Sequence, residues 1–527
     1  MKRDVTITNP VLQGVFPDPS WMWHNNEAWL VTSSFGQVPG LPIHTSRDLS
    51  HWQRRCSAID EEMARRLFLK YIRTDNHGIF APTIREFGDA IIIVSTVMEV
   101  MVDKALADGA DPDEINRLRA ANGNFALVSR DDGLTWEGPH WIKGAVGNDP
   151  DFFIDADGTT WWTASRPSSS PRWPFQSDIW MRKLDTERWR LEGPERIIWH
   201  GAVEGATWAE SPHIFLKDGT YYLLAAEAGT ERRHAQSVAR SDSLNACYYE
   251  NNSRNPILTH RTLGEGFPVQ NVGHSDMLRD DNGDWWGVCL GSRVVEGYSF
   301  MGREPFVFPI VWEDGWPVFT PGDALLRRRI IRGQENTRHG YQLGDIASQE
   351  GKNETDRDRH IEQINPNDYL MLPTQPQWIW TRVDDFDYEV LFNPTLMHEA
   401  RIQQNRDVFA SITTDSDSSS VVACISNKGT VQEIGRTALH HDEWYSVRLV
   451  GRSVRFAQVP APNCIPNTEH PLLVGKGAAA VESVAAGGWP VINGGLDIPD
   501  SSFAYADAAF LSTESAGGYI GCLAGVR

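Results

Sequence analysis

A short phrase recurs five times within the first 300 residues of this 527-residue chain. A polar residue stands beside a small residue or proline, an apolar strand follows, then usually a turn, then a second strand rich in aromatics. The copies read Asp18-Pro19-Ser20 into "WMWHNNEAWLVTSS", Pro82-Thr83 into "IREFGDAIIIVST", and Asp149-Pro150-Asp151 into "FFIDADGTTWWTAS". The last two read Glu210-Ser211-Pro212-His213 into "IFLKDGTYYLLAAEA" and His274-Ser275-Asp276 into "MLRDDNGDWWGVCLG". Counted from Pro19, Pro82, Pro150, Pro212 and Ser275, the steps are 63, 68, 62 and 63 residues. A period of that length, carrying hairpins and no helical pattern, predicts radially repeated sheets: a five-bladed β-propeller. Radial repetition brings the start of every copy to one axis, and four of the five copies place an acid or a histidine there.

The rest of the chain extends an all-β reading. Hairpin turn signals recur at Asp157-Gly158, Asp218-Gly219, Asn282-Gly283 and Asp314-Gly315. Residues 60–72 read as a short amphipathic helix. Residues 111–122 read as a second, with a capping Asp, an early Pro and Gly123 at its end. Both are taken as insertions among the blades, placed to cover the site entrance. After the last recognisable propeller strand, "PFVFPIVWEDGWPVF", the sequence turns polar and charged, as a connector does. Runs such as "DYEVLFNP", "DVFASITT", "SSVVACIS", "WYSVRLVGRSVRFAQV" and "GGYIGCLAG" then predict a β-sandwich of jelly-roll or concanavalin-like type. Residues 475–488 read as a low-complexity loop. The expected division is propeller 1–321, connector 322–375 and sandwich 376–527.

Composition narrows the partners. A net charge of −21 argues against nucleic acid or an anionic membrane surface and is compatible with a neutral ligand such as a sugar. No run of 18 apolar residues is present to span a membrane. The opening "MKRDVTITNPVLQG" lacks an apolar signal core, so a cytoplasmic protein is expected; a secreted chain trimmed of its leader reads the same way. The six cysteines show no C-x-x-C spacing, which removes zinc and redox motifs. Twenty-one tryptophans offer flat faces suited to sugar rings. Pairs such as Trp161-Trp162 and Trp285-Trp286 are instead expected to pack between blades.

Asp18, Asp149 and Glu210 open three different copies, so the propeller would bring three carboxyls to one mouth. An Asp-Pro alone is an ordinary turn former. Three acids at matching phase, without metal-ligand spacing, point to acid–base work on a neutral substrate. Glycoside hydrolysis needs such a set: one carboxyl protonates the leaving oxygen and another activates water. A third nearby raises the acid's pKa by like-charge repulsion.

The segments "NPVLQGVFPDPS", "NDPDFFIDADG", "ESPHIFLKDGTYYLLAAEAGT" and "GREPFVFPIVWEDGWPVF" resemble glycoside hydrolase family 43. The chain looks like that family's two-domain β-xylosidase and α-L-arabinofuranosidase group. The resemblance implies a one-step inverting mechanism, with Asp18 as general base, Glu210 as general acid and Asp149 tuning the acid and orienting substrate. Acid and base would stand about 6.5–9.5 Å apart, leaving room for water. It implies sugar contacts from Phe35, Phe80, His274 and Arg293. No cofactor is required, though in some members a structural calcium lies near the histidine matched by His274, held here through water. The implied substrate is an oligosaccharide or polysaccharide.

The chain departs from the family pattern at several points. The usual "WAP" is Phe80-Ala81-Pro82, "EWFPG" is Gly36-Gln37-Val38-Pro39-Gly40, and "EGPH" is Glu210-Ser211-Pro212-His213. The first two changes lie where xylose and arabinofuranose are told apart. The expected activity is exo-acting release of terminal β-D-xylose or α-L-arabinofuranose. The alternatives are an endo-acting arabinan or galactan hydrolase of the same fold, and a glycan-binding propeller without chemistry.

Overall fold

A computed structural model describes residues 5–332, apart from 74–76, 247–248, 295–301 and 323, together with a set of strands between 368 and 513. The chain divides into two compact units near residue 360.

The first unit is built from five four-stranded antiparallel sheets taken in chain order. Their first strands are Ser20–His24, Gly78–Phe87, Asn148–Ile154, Glu210–Lys217 and Val269–Arg279. Each of these touches the next, and the fifth touches the first, so the sheets close a propeller around an axis lined by first strands. Closure is tied by Val5–Thr8, which pairs with Arg329–Arg332. The Asn9 amide adds bonds to the Val307 and Arg327 carbonyls, both 2.8 Å, and accepts from the Val307 amide at 2.9 Å. Residues 329–332, read from sequence as connector, therefore belong to the propeller.

The double-aromatic strands explain how the sheets stack. Side chains alternate across a strand, and here both faces are buried. Trp162 packs with Ile92, Val94 and Phe152 between the second and third sheets. Its neighbour Trp161 packs with Ile214 and Leu223 between the third and fourth. Trp286 likewise joins Trp21 and Leu30 between the fifth and first sheets, and Trp285 borders the core between the fourth and fifth. Hairpin turns fall where the Asp-Gly signals put them; Asp218-Gly219 and Asp314-Gly315 both take positive φ at both residues, matching the twist of the strands they join.

The helices lie in the core between the first and second sheets, where Met63, Leu67, Ile115 and Leu118 pack against Trp29, Ile93 and Phe125. They fill a gap between sheets. The predicted 60–72 helix is two pieces: Glu61–Arg66, capped by Asp60, and a 3-10 turn Leu69–Tyr71. Phe68, with φ of 60°, breaks the run. The second helix, Pro112–Ala120, begins at its predicted Asp111 cap, and a short helix Val102–Ala107 precedes it.

In the second unit, six strands form one sheet and four another. The first includes Glu399–Asn405, Val408–Thr414, Ser420–Asn427 and Thr430–Ala438; the second includes Asp387–Phe392, Trp444–Val450 and Ser453–Val459. Strands of the two sheets face each other, and Ile412, Ala423, Tyr445, Val447 and Phe456 are buried, as a sandwich requires. The "GGYIGCLAG" run, the 475–488 loop and most of the 322–375 connector fall outside the described residues.

Candidate active site

The start of each copy is a backbone kink. Asp18, Ala81, Asp149, Ser211 and His274 all have φ between 22° and 56°. Strand pairing slips at the same places: Phe80/Thr83, Asn148/Asp151, Glu210/His213 and Gly273/Asp276. In the first copy the Ser33 amide reaches across the kink to the Pro17 carbonyl at 3.0 Å. A bulge of this kind sets two residues opposite one and turns a side chain out of the ladder. This corrects the expected phase of the acids. Asp18 and Asp149 occupy the kink itself, whereas Glu210 stands one residue before it, level with Phe80 and Asn148.

Asp18 is 6% exposed and fully engaged. Ser33 Oγ donates to its Oδ2 at 2.6 Å, Arg303 Nη1 donates to Oδ1 at 2.7 Å, and His274 Nδ1 lies 3.5 Å from Oδ1. Burial pushes the carboxyl's pKa up, but the Arg303 charge and the Ser33 hydroxyl outweigh it and hold Asp18 below its ordinary value.

Asp149 accepts from Asn148 Nδ2 at 2.8 Å and from the Ser211 amide and hydroxyl, each at 3.2 Å. Burial, reinforced by the Asp18 charge, raises it to about 6. Ser211 Oγ also meets His274 Nδ1 at 2.6 Å. His274 is kept neutral, its pKa lowered to about 4 chiefly by burial. The Asp18 oxygen beside Nδ1 only accepts, so Nδ1 carries the proton, and a chain runs from His274 through the Ser211 hydroxyl to Asp149.

Glu210 is partly exposed and held well above the ordinary carboxyl value. Burial is the largest cause, followed by the charges of Asp149 and Asp18, with Arg303 opposing. Among the described residues no hydrogen bond engages its carboxyl, so its proton remains available. The three acids thus differ in kind: one biased towards ionisation by its partners, one biased towards the protonated form, one between them. Such a pair can protonate a leaving oxygen and take a proton from water.

The other expected residues divide. Phe35 and Phe80 meet edge to face, ring centroids 5.7 Å apart, and His77 stacks on Phe80. Arg293 forms a bidentate pair with buried Glu304, at 2.7 and 2.9 Å. The arginine on the acids is Arg303, ten residues later, which the sequence reading passed over although it sits in the quoted "GREPF" segment. His234 was also missed. It is buried beside Gly273, its Nδ1 is 2.8 Å from the Asn271 carbonyl, and burial lowers its pKa to about 3.

On its Nδ1 side His274 offers a calcium ion no ligand. His274 Nδ1 is committed to Ser211 and Asp18. The positive charge facing Asp18 is already a guanidinium, as is that facing the next acids along the axis, Asp151 and Asp276. Among the described residues no three His, Cys, Asp or Glu side chains are grouped to hold a metal.

A propeller with acids of unequal proton affinity at its axis is an acid–base site carried on repeated sheets. The chain belongs to the glycosyl hydrolases family 43, whose family model matches residues 7–317. It is 40% identical over 329 residues to a xylosidase/arabinosidase of Butyrivibrio fibrisolvens, covering 62% of this chain and 59% of that protein. It is 30% identical over 318 residues to the non-reducing end alpha-L-arabinofuranosidase BoGH43B of Bacteroides ovatus, covering 59% of this chain and 53% of that protein. The chain thus spans less than two thirds of each relative's length. In fold it is similar to the crystal structure of a xylan beta-1,4-xylosidase from Bacillus halodurans, with a TM-score of 0.70, 20% identity and 97% of each chain covered.

Proposed function

We propose that the chain is an exo-acting, inverting glycoside hydrolase that releases terminal β-D-xylose or α-L-arabinofuranose from xylan- or arabinoxylan-derived oligosaccharides. The observation that carries this reading is the opposed setting of two carboxyls: Asp18, held ionised by Arg303 and Ser33, and Glu210, held protonated by burial and its neighbours. In the proposed reaction Asp18 takes a proton from water as the water oxygen bonds to the anomeric carbon. Glu210 gives its proton to the glycosidic oxygen as that bond breaks. Asp149, tied to Ser211 and Asn148, keeps Glu210 protonated through its charge and orients the sugar. The names of the relatives support both pentoses.

The test compares nitrophenyl β-D-xyloside with nitrophenyl α-L-arabinofuranoside and follows the anomer of the first product by NMR. An inverted anomer is expected, and a retained one overturns the mechanism. Glu210→Gln is expected to lower the rate on a xylo-oligosaccharide by about 10²–10⁴-fold with the fold intact by circular dichroism. An unchanged rate removes Glu210 as the acid.

A further inference from the structure

One layer along the axis from the acids, a single side chain touches all five sheets. Arg85 comes from the first strand of the second sheet. Its Nη1 lies 2.9 Å from Asp276 Oδ2 of the fifth sheet, and 3.3 Å from Ser20 Oγ and 3.4 Å from the Trp21 carbonyl of the first. Nη1 also donates to the Ile84 carbonyl of its own strand at 2.9 Å. Its Nη2 donates to Asp151 Oδ1 of the third sheet at 3.0 Å and meets His213 Nδ1 of the fourth at 3.2 Å. Asp151 and Asp276 are fully buried and the Arg85 side chain is 16% exposed.

The same two acids stitch neighbouring blades. Asp151 accepts from the Ile214 amide at 2.9 Å, linking the third sheet to the fourth. Asp276 accepts from the Trp21 amide at 3.1 Å and the Ser20 hydroxyl at 2.7 Å, linking the fifth to the first. Each seam lies two residues past a kink: Asp151 follows Asp149, and Asp276 follows His274. Whatever fixes the two buried acids also fixes the kinks that present the catalytic set.

We propose that Arg85 is the resident cation of the propeller axis, doing with a guanidinium what a bound metal ion would do: gathering carboxylates from separate blades at one charged centre. A buried carboxylate pair without a counter-charge is strongly unfavourable, and removing one partner of such a pair leaves the other uncompensated. The planar fork of arginine reaches two carboxylates and a carbonyl from two separate nitrogens at once, whereas an ammonium presents all its donors from one atom. Asp276 sits below its ordinary pKa despite burial because Arg85 faces it, in keeping with this role.

Three measurements on the full chain test this. The unsubstituted protein, stripped with a strong chelator, is expected to keep both its melting temperature and its kcat/KM. A melting temperature that falls on chelation and returns with calcium overturns the proposal. Arg85→Ala is expected to melt lower and to be raised by several degrees by millimolar guanidinium or calcium, with saturable binding by calorimetry that the unsubstituted protein lacks. A folded Arg85→Ala indifferent to both cations overturns it too. Should that variant not fold, Arg85→Met combined with Asp151→Asn and Asp276→Asn decides. Removing the charges that demand a cation is expected to restore a cooperative melt, and failure to do so refutes the charge-balancing role.

Discussion

Arg303 offers a measurable consequence of the asymmetry between the acids. Its guanidinium donates to Asp18 at 2.7 Å and lies close enough to Glu210 to oppose that group's elevation. Arg303→Gln removes the charge and, with a shorter side chain, withdraws the Asp18 donor as well. At an effective dielectric of about 20, unit charges about 4 Å apart interact by about 4 kcal/mol. At about 1.4 kcal/mol per unit of pKa, that sets an upper limit near 3 units. Water entry and relaxation bring the expected rise for Asp18 to about 1–3 units. In the proposed mechanism the acid limb of the kcat/KM profile follows ionisation of Asp18, and it is expected to move to higher pH by that amount. The alkaline limb, governed by Glu210, also moves up, but less, because Arg303 is the weakest of the named influences there. Both limbs shifting in one direction, the acid limb more, is the signature to look for. The assay is initial rates on a nitrophenyl glycoside across pH, with folding checked by circular dichroism. A folded variant whose acid limb stays in place, or whose limbs move apart, refutes the assignment of Arg303 as the group that keeps Asp18 ionised.

Asp149→Asn removes a like charge beside Glu210, so the alkaline limb is expected to fall to lower pH, the reverse of the Arg303 effect. The same variant bears on stability. Asp149 has a folded pKa of about 6 against an ordinary 3.8, so its contribution is present below the lower value and lost as pH rises through the higher. Urea titrations at stepped pH should show a shallower fall in stability between pH 4 and 6 in Asp149→Asn than in the unsubstituted chain. Trp162→Ala empties the core between the second and third sheets, where Trp162 is 0% exposed, and is expected to cost about 3–5 kcal/mol by urea denaturation.

Much of this was legible in the chain because propeller information is local. Strand alternation, Asp-Gly turns and the recurring Pro each speak within a dozen residues, and they carry the sheets, the tryptophans packed between them and the carboxyls that open the copies. What stayed hidden depends on pairing at long range. Arg303 meets Asp18 across 285 residues, and nothing in "GREPF" distinguishes it from Arg293, which is spent on Glu304. Arg85 reads as a polar residue in an ordinary alternating strand; only closure of the ring puts Asp151 and Asp276 on either side of it. The one-residue offset of Glu210 was invisible for another reason. A bulge changes which residue faces the axis without changing the spacing of the copies. Residues 329–332 escaped because their partner strand lies far away in sequence, near the start of the chain.

The kink shared by the five copies has a consequence for engineering. The backbone already accepts a left-handed residue at Asp18, Ala81, Asp149, Ser211 and His274, whatever side chain stands there. These are five sockets that share a left-handed backbone, and their occupants are an acid, a methyl group, an acid, a hydroxyl and an imidazole. The Ala81 socket carries no functional group. A designer who wants a new carboxylate, a chelating histidine or a reactive thiol at this mouth can begin there, but must also make room, because Ala81 is buried.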